Sequence, residues 1–284
     1  MAQTIQEALT QGGKAATSDG KPVEYVGTVE AYNKWAEVYD TDGNFLQALD
    51  TIEMRNLLPR FLTLVQGLAQ GETEPSTALK LVDLGCGTGR NTLQLVKAAP
   101  QDAQIIGLDA SPGMLDVAKE ALSSNGAGDK VRLGVYDLLA SEDAVLPWSL
   151  DGKSGGASGI ISTLVLEHIP VDKFFANAAR LIRPGGYFLV TNMHAEMGGI
   201  SQAGFVDAKS GKKIRPTSYA HEIEDVVAAA ESVGFEVVAL DEGEREEVRE
   251  RRVDEAMVEG LGERGKKWVG VLVWFGVCFR MRSN

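Results

Sequence analysis

The chain of 284 residues is short of the features that define several protein classes. It has two cysteines, Cys86 and Cys278, too few for a disulfide framework or an all-cysteine metal site. Its longest apolar stretch, Trp268 to Phe279, is 12 residues, which is too short to span a bilayer. The opening segment MAQTIQEALTQGGKAATSDGKP has no apolar run of the signal-peptide kind. Positive charge is in deficit as well: 28 basic residues stand against 40 acidic ones, a formal net charge of −12. A field of that sign repels phosphate backbones and argues against nucleic-acid binding. Only three histidines are present, His168, His194 and His221, so candidates for proton transfer near neutral pH are few. What remains is a cytoplasmic protein of one or two domains, with no membrane segment and no metal ligand set expected. A chain of this length can bury a full core.

Residues 1–28 are polar and glycine-bearing and read as a disordered lead-in. From Glu30 to Gln70 apolar residues recur at helical spacing, which predicts two helices broken near Asp42-Gly43. Residues 71–77 read as a loop. From Leu79 onward short apolar runs, 79–84, 104–109, 131–136, 159–166 and 186–191, alternate with helical segments at 90–99, 114–123 and 172–182. That alternation predicts βαβ units and a mostly parallel sheet with helices on both faces, a three-layer α/β sandwich of Rossmann-like type. After His194 comes a polar, glycine-rich excursion to residue 218, then a helix over 219–233 and a strand over 235–240. The charged segment EREEVRERR reads as a solvated helix, and the apolar run 268–279 as an interior strand.

The most informative stretch is Leu81-Val82-Asp83-Leu84-Gly85-Cys86-Gly87-Thr88-Gly89-Arg90, a buried strand that runs into a glycine turn and then a helix. Glycines there let backbone approach a ligand without a Cβ in the way. The spacing is G-x-G-x-G with an acid two residues ahead of it, unlike the pyrophosphate cradles G-x-G-x-x-G and G-x-x-x-x-G-K. An acid beside the turn suits a cationic amine.

With Ile106 to Leu115 (IGLDASPGML), Tyr136-Asp137-Leu138, Leu164 to His168 (LVLEH) and Arg183-Pro184-Gly185-Gly186 following in order, the sequence resembles the class I S-adenosylmethionine-dependent methyltransferases over roughly residues 30–280. One departure from that pattern is Ser158-Gly159, where the family commonly has an aromatic–acid pair. The resemblance implies a seven-stranded sheet with an antiparallel last strand under an N-terminal helical cap. It divides the chain into the lead-in 1–28 and a single domain 29–284, made of a cap (29–70), a cofactor-binding core (79–192) and an acceptor side (193–284). It also implies a site for S-adenosylmethionine. Asp109 would accept hydrogen bonds from the ribose hydroxyls, and Gly85 and Gly87 would carry backbone against the methionine and ribose portions. Asp83 would tune the amine end, Asp137 with Leu138 would read the adenine edge, and Met114 would pack on the ring. Ala110, Leu164 and Cys86 would sit among these contacts, Cys86 as a packed residue rather than a nucleophile.

Tyr32, Trp35 and Tyr39 are spaced i, i+3, i+7, one face of a helix. They read either as core packing of the cap or as rings closing over the sulfonium, a fixed cation that aromatic faces attract. The pattern Y-x-x-W-A-x-x-Y-D is also similar to small-molecule methyltransferases related to the Williams–Beuren-region methyltransferase-like protein. For proton removal from an acceptor the ranking is His168, beside Glu167, then His194, then His221, because the first two follow strands at the end where open α/β sheets bind ligands. Lys212, Lys213 and Arg215 could steer an acidic acceptor. The expected activity is methyl transfer to a small-molecule acceptor. A cofactor-binding scaffold without that activity, another chemistry on the same fold, and a nicotinamide-dependent dehydrogenase remain as alternatives.

Overall fold

The protein is described from a computed structural model covering residues 3–11, 17–18, 21–70, 78–139, 146–150, 155–240 and 247–283. The expected loop 71–77 lies outside these residues, as do parts of the lead-in and of the charged segment.

An N-terminal group comprises α1 (Ile5–Gln11), β1 (Thr17–Ser18), β2 (Lys21–Tyr25), α2 (Thr28–Trp35) and the long α3 (Phe45–Gln70). The alternating core follows as β3 (Lys80–Leu84), α4 (Arg90–Ala98), β4 (Gln104–Asp109), α5 (Pro112–Ser124), β5 (Val131–Val135), β6 (Ala157–Thr163), α6 (Val171–Leu181) and β7 (Ile182–Met193). The remainder is α7 (Ala195–Gly198), β8 (Phe205–Val206), β9 (Lys213–Arg215), α8 (Ile223–Ser232), β10 (Phe235–Val238), β11 (Val248–Arg252), α9 (Glu255–Leu261) and β12 (Leu272–Met281).

The main sheet has the order β10-β12-β7-β6-β3-β4-β5, with β11 also paired to β12. Strands β3 to β7 are mutually parallel, and β12 enters antiparallel between β7 and β10. Seven positions therefore run across the sheet, as expected. The eighth strand shares an edge: β11 lies against residues 272–277 of β12 and β10 against 278–281.

Because side chains alternate across a strand, neighbouring residues feed opposite layers. Ile161, Leu189 and Trp274 enter the layer under α3 and α4, with Leu57, Phe61 and Leu95. Ile160, Phe188 and Phe275 enter the other layer, with Phe174 and Phe175 of α6 and Val226 and Ala230 of α8. Each such side chain contributes about 1.5–3 kcal/mol by leaving water, which is why these strands read as unbroken apolar runs. Gly159 is explained here: a Cβ on it would stand 2.9 Å from both Phe61 and Val65 of α3. The glycine lets the long helix lie directly on β6.

Two expectations are corrected. The lead-in 1–28 contains order: Ile5 is buried at 3% exposure and its N–H donates to the Ser218 carbonyl, while β2 pairs in parallel with β9. Together β1, β2, β9 and β8 form a second, four-stranded sheet over the cap. Its partners lie some 190 residues apart in the chain, so no local pattern announces them. The charged segment is a strand at 248–252, not a helix. Arg249 and Arg251, two apart and so on one face, both reach the buried Glu53 of α3, and the free edge of β12 supplies the pairing.

Candidate active site

The carboxyl end of β3 leads into the glycine turn. The N–H groups of Gly85 and Cys86 both donate to the Leu108 carbonyl at the end of β4, at 2.7 and 2.9 Å. The turn needs backbone that L residues resist: Gly85, Gly87 and Gly89 have φ of 77°, 53° and 84°. The first two glycines differ in purpose. A Cβ on Gly85 would fall 2.2 Å from the Val165 side chain, whereas one on Gly87 would meet nothing within 4 Å. Gly85 is bare for packing, and Gly87 is bare toward open space.

Asp109 closes the turn from the end of β4. Its Oδ2 accepts from Gly87 N–H and its Oδ1 from Ser111 N–H, each at 2.8 Å. Burial pushes the Asp109 carboxyl up, and these N–H donors pull it back. Ser111 then caps α5 by accepting from the Met114 N–H, with Pro112 in the first turn. That geometry sets Met114 beneath the site. Asp83 lies behind the turn, 1% exposed. Its Oδ2 accepts from Thr92 Oγ1 at 2.6 Å, and its Oδ1 is buried without a partner. Burial raises its pKa to about 6.

These groups border a cavity that opens to solvent between the glycine turn and the cap. Of the residues expected at the cofactor, Tyr32, Tyr39, Gly85, Gly87, Asp109, Ala110, Met114, Asp137, Leu138 and Leu164 line it. Trp35, Asp83 and Cys86 do not. Trp35 turns away to stack on Phe205 at 5.0 Å, its Nε1–H donating to Asp42 Oδ2. Cys86 is buried against Gly107, and burial drives its thiol pKa far up, so it is inert packing. Leu164 has a φ of 58°, held by its N–H donating to the Thr191 carbonyl. Left-handed backbone at a leucine costs about 1–2 kcal/mol and collects at functional sites.

The far wall carries a histidine and a tyrosine in contact. His168, 4% exposed, faces the cavity from the turn after β6. Its Nδ1 lies 2.9 Å from the Thr217 carbonyl and its Nε2 2.7 Å from Tyr32 Oη. A carbonyl can only accept, so Nδ1 carries a proton; in the neutral tautomer this leaves Nε2 as the lone-pair nitrogen facing the tyrosine hydroxyl. Burial drives the Tyr32 pKa well up, so the phenol remains a donor. Glu167 Oε1 lies 3.4 Å from the same Nε2, but Glu167, expected at the acceptor, is itself buried and does not line the cavity. His221 braces this turn, its Nε2–H shared between the Leu166 and Ile169 carbonyls at 3.2 and 3.0 Å.

His194, the second candidate, is not at the cavity. Its Nδ1 accepts from the Glu196 N–H and its Nε2 pairs with Glu250 of β11 at 3.0 Å. Lys212, Lys213 and Arg215 do not line the cavity either. Two contributors were missed from sequence. Asn33 Oδ1 accepts from Ser111 Oγ and the Gly113 N–H at 2.8 and 2.9 Å, docking the cap on α5. Asn177, a polar residue on the buried face of α6, donates from Nδ2 to the Leu138 carbonyl at 3.0 Å and accepts from Tyr136 Oη. An asparagine inside an otherwise apolar helix stripe was the available signal.

A parallel sheet with one antiparallel strand, a G-x-G-x-G turn and an acid ending the second core strand define the class of S-adenosylmethionine-dependent methyltransferases. A family model described as a methyltransferase domain matches residues 81–186. Across nearly its whole length the chain is 67% identical to a protein of Emericella nidulans known as an uncharacterized methyltransferase, over 97% of this chain and 99% of that one. The chain therefore belongs to the methyltransferase family. Two solved structures share its fold. A putative S-adenosylmethionine-dependent methyltransferase from Listeria monocytogenes superposes with a TM-score of 0.54 at 15% identity, covering 84% of this chain and 99% of that one. One from Mesorhizobium loti gives 0.51 at 19% identity, covering 75% and 96%.

Proposed function

We propose that the cavity holds S-adenosylmethionine along the glycine turn and a small-molecule acceptor on the Tyr32–His168 side, in a cytoplasmic enzyme. The residues present fit that cofactor. Gly87 leaves open space where a side chain would otherwise intrude. Both Asp109 oxygens spend one lone pair on backbone N–H groups, which leaves capacity for two hydroxyls. Asp137 and Leu138 would read the adenine edge above Met114, with Asn177 holding the Leu138 carbonyl in place.

Bound there, the sulfonium supplies an electrophilic methyl carbon. The chain's own work is to position the acceptor, to exclude water and to take a proton. The bare Nε2 of His168 is the proton acceptor, its tautomer set by the Thr217 carbonyl. Tyr32 occupies that nitrogen until the acceptor arrives. Glu167 then stands beside the imidazolium that forms. The cap, fastened through Asn33 and through Thr88 Oγ1 donating to Asp40 Oδ1 at 3.0 Å, covers the cavity and favours a small acceptor over a macromolecule.

The observation that carries this reading is the pair Gly87–Asp109, an open backbone surface beside a carboxylate at a strand end. Calorimetry with S-adenosylhomocysteine tests it. Wild-type protein binds, and Asp109→Ala binds at least tenfold more weakly, the loss of at least one charge-assisted hydrogen bond. Equal affinity in a folded Asp109→Ala protein, or binding of NAD in its place, refutes it.

A further inference from the structure

The turn that brings His168 to the cavity is held from outside by residues 217–219. The Thr217 carbonyl accepts from His168 Nδ1 at 2.9 Å, and the Tyr219 N–H donates to the Glu167 carbonyl at 2.7 Å. The first of these bonds is the same for a neutral and a charged ring, because a carbonyl only accepts and Nδ1 carries a proton in both. Behind this segment lies a second layer, made by the start of the chain. Thr4 forms an antiparallel bridge with Tyr219, and the Ile5 N–H donates to the Ser218 carbonyl at 2.8 Å. The bonds alternate in direction: Thr217 and Tyr219 face the His168 turn, and Ser218 between them faces Ile5. A little further along, β2 runs parallel to β9, and the Val26 N–H donates to the Arg215 carbonyl at 3.1 Å. The outer layer has its own anchors. Thr4 and Glu7 form a capping box at the start of α1, with Glu7 N–H donating to Thr4 Oγ1 at 3.2 Å and Thr4 N–H to Glu7 Oε2 at 2.8 Å. The Ile5 side chain joins the apolar layer that contains Met193 and Met197. The cofactor side is held by other bonds, from the Leu108 carbonyl to the glycine turn and from Asp109 to Gly87 and Ser111.

We infer that residues 4–5 and 23–26 are a positioning strap for the acceptor side of the cavity, and that Ile5 is a positioning residue for His168. Ile5 acts through the Ser218 carbonyl on the segment whose next carbonyl, that of Thr217, fixes the imidazole. This rests on the reading of His168 as the group that meets the acceptor. The nitrogen of a histidine that carries the proton is set by the hydrogen bond its ring makes. With the strap loosened, the Thr217 carbonyl no longer stands at Nδ1, and the two ring nitrogens compete for the proton of the neutral ring. The nitrogen turned to the cavity is then a lone-pair site for only part of the molecules, and proton removal from an acceptor falls by that part. The glycine turn and Asp109, held separately, keep their geometry.

The test uses three variants of the full chain. Ile5→Pro removes the N–H given to Ser218, at the first residue of α1, where a helix accepts proline. Ile5→Ala keeps that N–H and loses the packing, and Ile5→Val keeps both. Three readouts are compared: the imidazole nitrogens in long-range proton–nitrogen spectra at about pH 8.5, above the ordinary histidine range; amide exchange; and calorimetry with S-adenosylhomocysteine. Wild type and Ile5→Val are expected to show His168 as a single Nδ1–H tautomer. Ile5→Pro is expected to show a mixture of tautomers and at least tenfold faster exchange over residues 166–169. Exchange across β3 and β4 and the affinity for S-adenosylhomocysteine should stay within about twofold of wild type, a split that a merely structural isoleucine would not produce. Ile5→Ala should show the same changes in smaller degree, and it decides the matter if Ile5→Pro does not fold. An unchanged His168 tautomer with unchanged exchange over 166–169, or loosening of β3 and β4 to the same extent, overturns the inference. Failure of the wild type to bind S-adenosylhomocysteine overturns the cofactor assignment instead, since the tautomer and exchange readouts need no cofactor.

Discussion

Two glycines two residues apart show how different causes can hide behind one motif. At Gly85 the missing side chain is replaced by Val165 of the same protein, and at Gly87 by nothing. Gly85→Ala should therefore damage the fold, because a Cβ 2.2 Å from a buried valine forces the β3 turn off the end of β6. Gly87→Ala should keep most of the stability, losing only about 1–2 kcal/mol for its left-handed backbone, yet lose at least tenfold in affinity for S-adenosylhomocysteine. Melting curves and calorimetry on the two variants distinguish the causes; equal behaviour would show that both glycines serve packing. Asp83 makes a second argument at this scale. Burial lifts its folded pKa from an ordinary 3.8 to about 6, so between those values the native state binds more protons than the unfolded chain. Stability contributed by this group is present below pH 4 and is lost as pH rises through 6, on the order of 3 kcal/mol in all. Asp83→Asn, which can still accept from Thr92, should melt higher than wild type at pH 8, with the gap closing as pH falls toward 5. A gap that does not change with pH would mean that Asp83 is not the group responsible.

Among elements, α2 is the one that turns a cleft into a chamber. Its polar fastenings are few: Asn33 to Ser111 and Gly113, and Tyr32 to His168. Asn33→Ala leaves the Gly113 N–H and the Ser111 hydroxyl without their acceptor, at a cost of about 1–3 kcal/mol where burial keeps water out. The expected result is faster amide exchange over residues 28–39 and weaker S-adenosylhomocysteine binding, with little change in exchange across β3 and β4. Unchanged exchange in α2 would show that apolar contacts alone seat it. This helix also marks where sequence reading stops. Strands β3, β4, β6 and β7 were legible because both their faces are largely buried and the runs are continuous, and β5, the half-exposed edge strand, from its interval after β4. Asp109 and His168 were legible because they sit at the ends of those runs. The spacing of Tyr32, Trp35 and Tyr39 gave the face they share but not its partners, and Trp35 went to Phe205. The pairing of β2 with β9 and of β11 with β12 is non-local. For β11 the density of charge hid an alternation whose inward members, Arg249 and Arg251, only make sense beside Glu53.

For the whole molecule, the strand that arrives last is tied to the turn that comes first through Asp50 on α3. This carboxylate, with no exposed surface, accepts from Arg90 at the start of α4 at 2.8 Å, from Thr191 of β7 at 2.6 Å and from the Trp274 indole of β12 at 3.1 Å. Arg90 also reaches Thr51 at 2.9 Å. Four elements far apart in sequence thus meet on one side chain, and one of them carries the glycine turn. Removing a buried partner leaves the remaining charge and donors uncompensated, which costs about 3–5 kcal/mol. Asp50→Ala should accordingly lower the melting temperature by on the order of 10 °C. Asp50→Asn, which keeps an acceptor for Thr191 and Trp274 but not the charge for Arg90, should fall between. The loss should also reach the site, since Arg90 anchors the helix that the turn enters: S-adenosylhomocysteine affinity should drop severalfold in both variants. A large melting shift with unchanged affinity would show that β3, α4 and the turn hold their geometry independently of the closing strand, and that Asp50 serves the core alone.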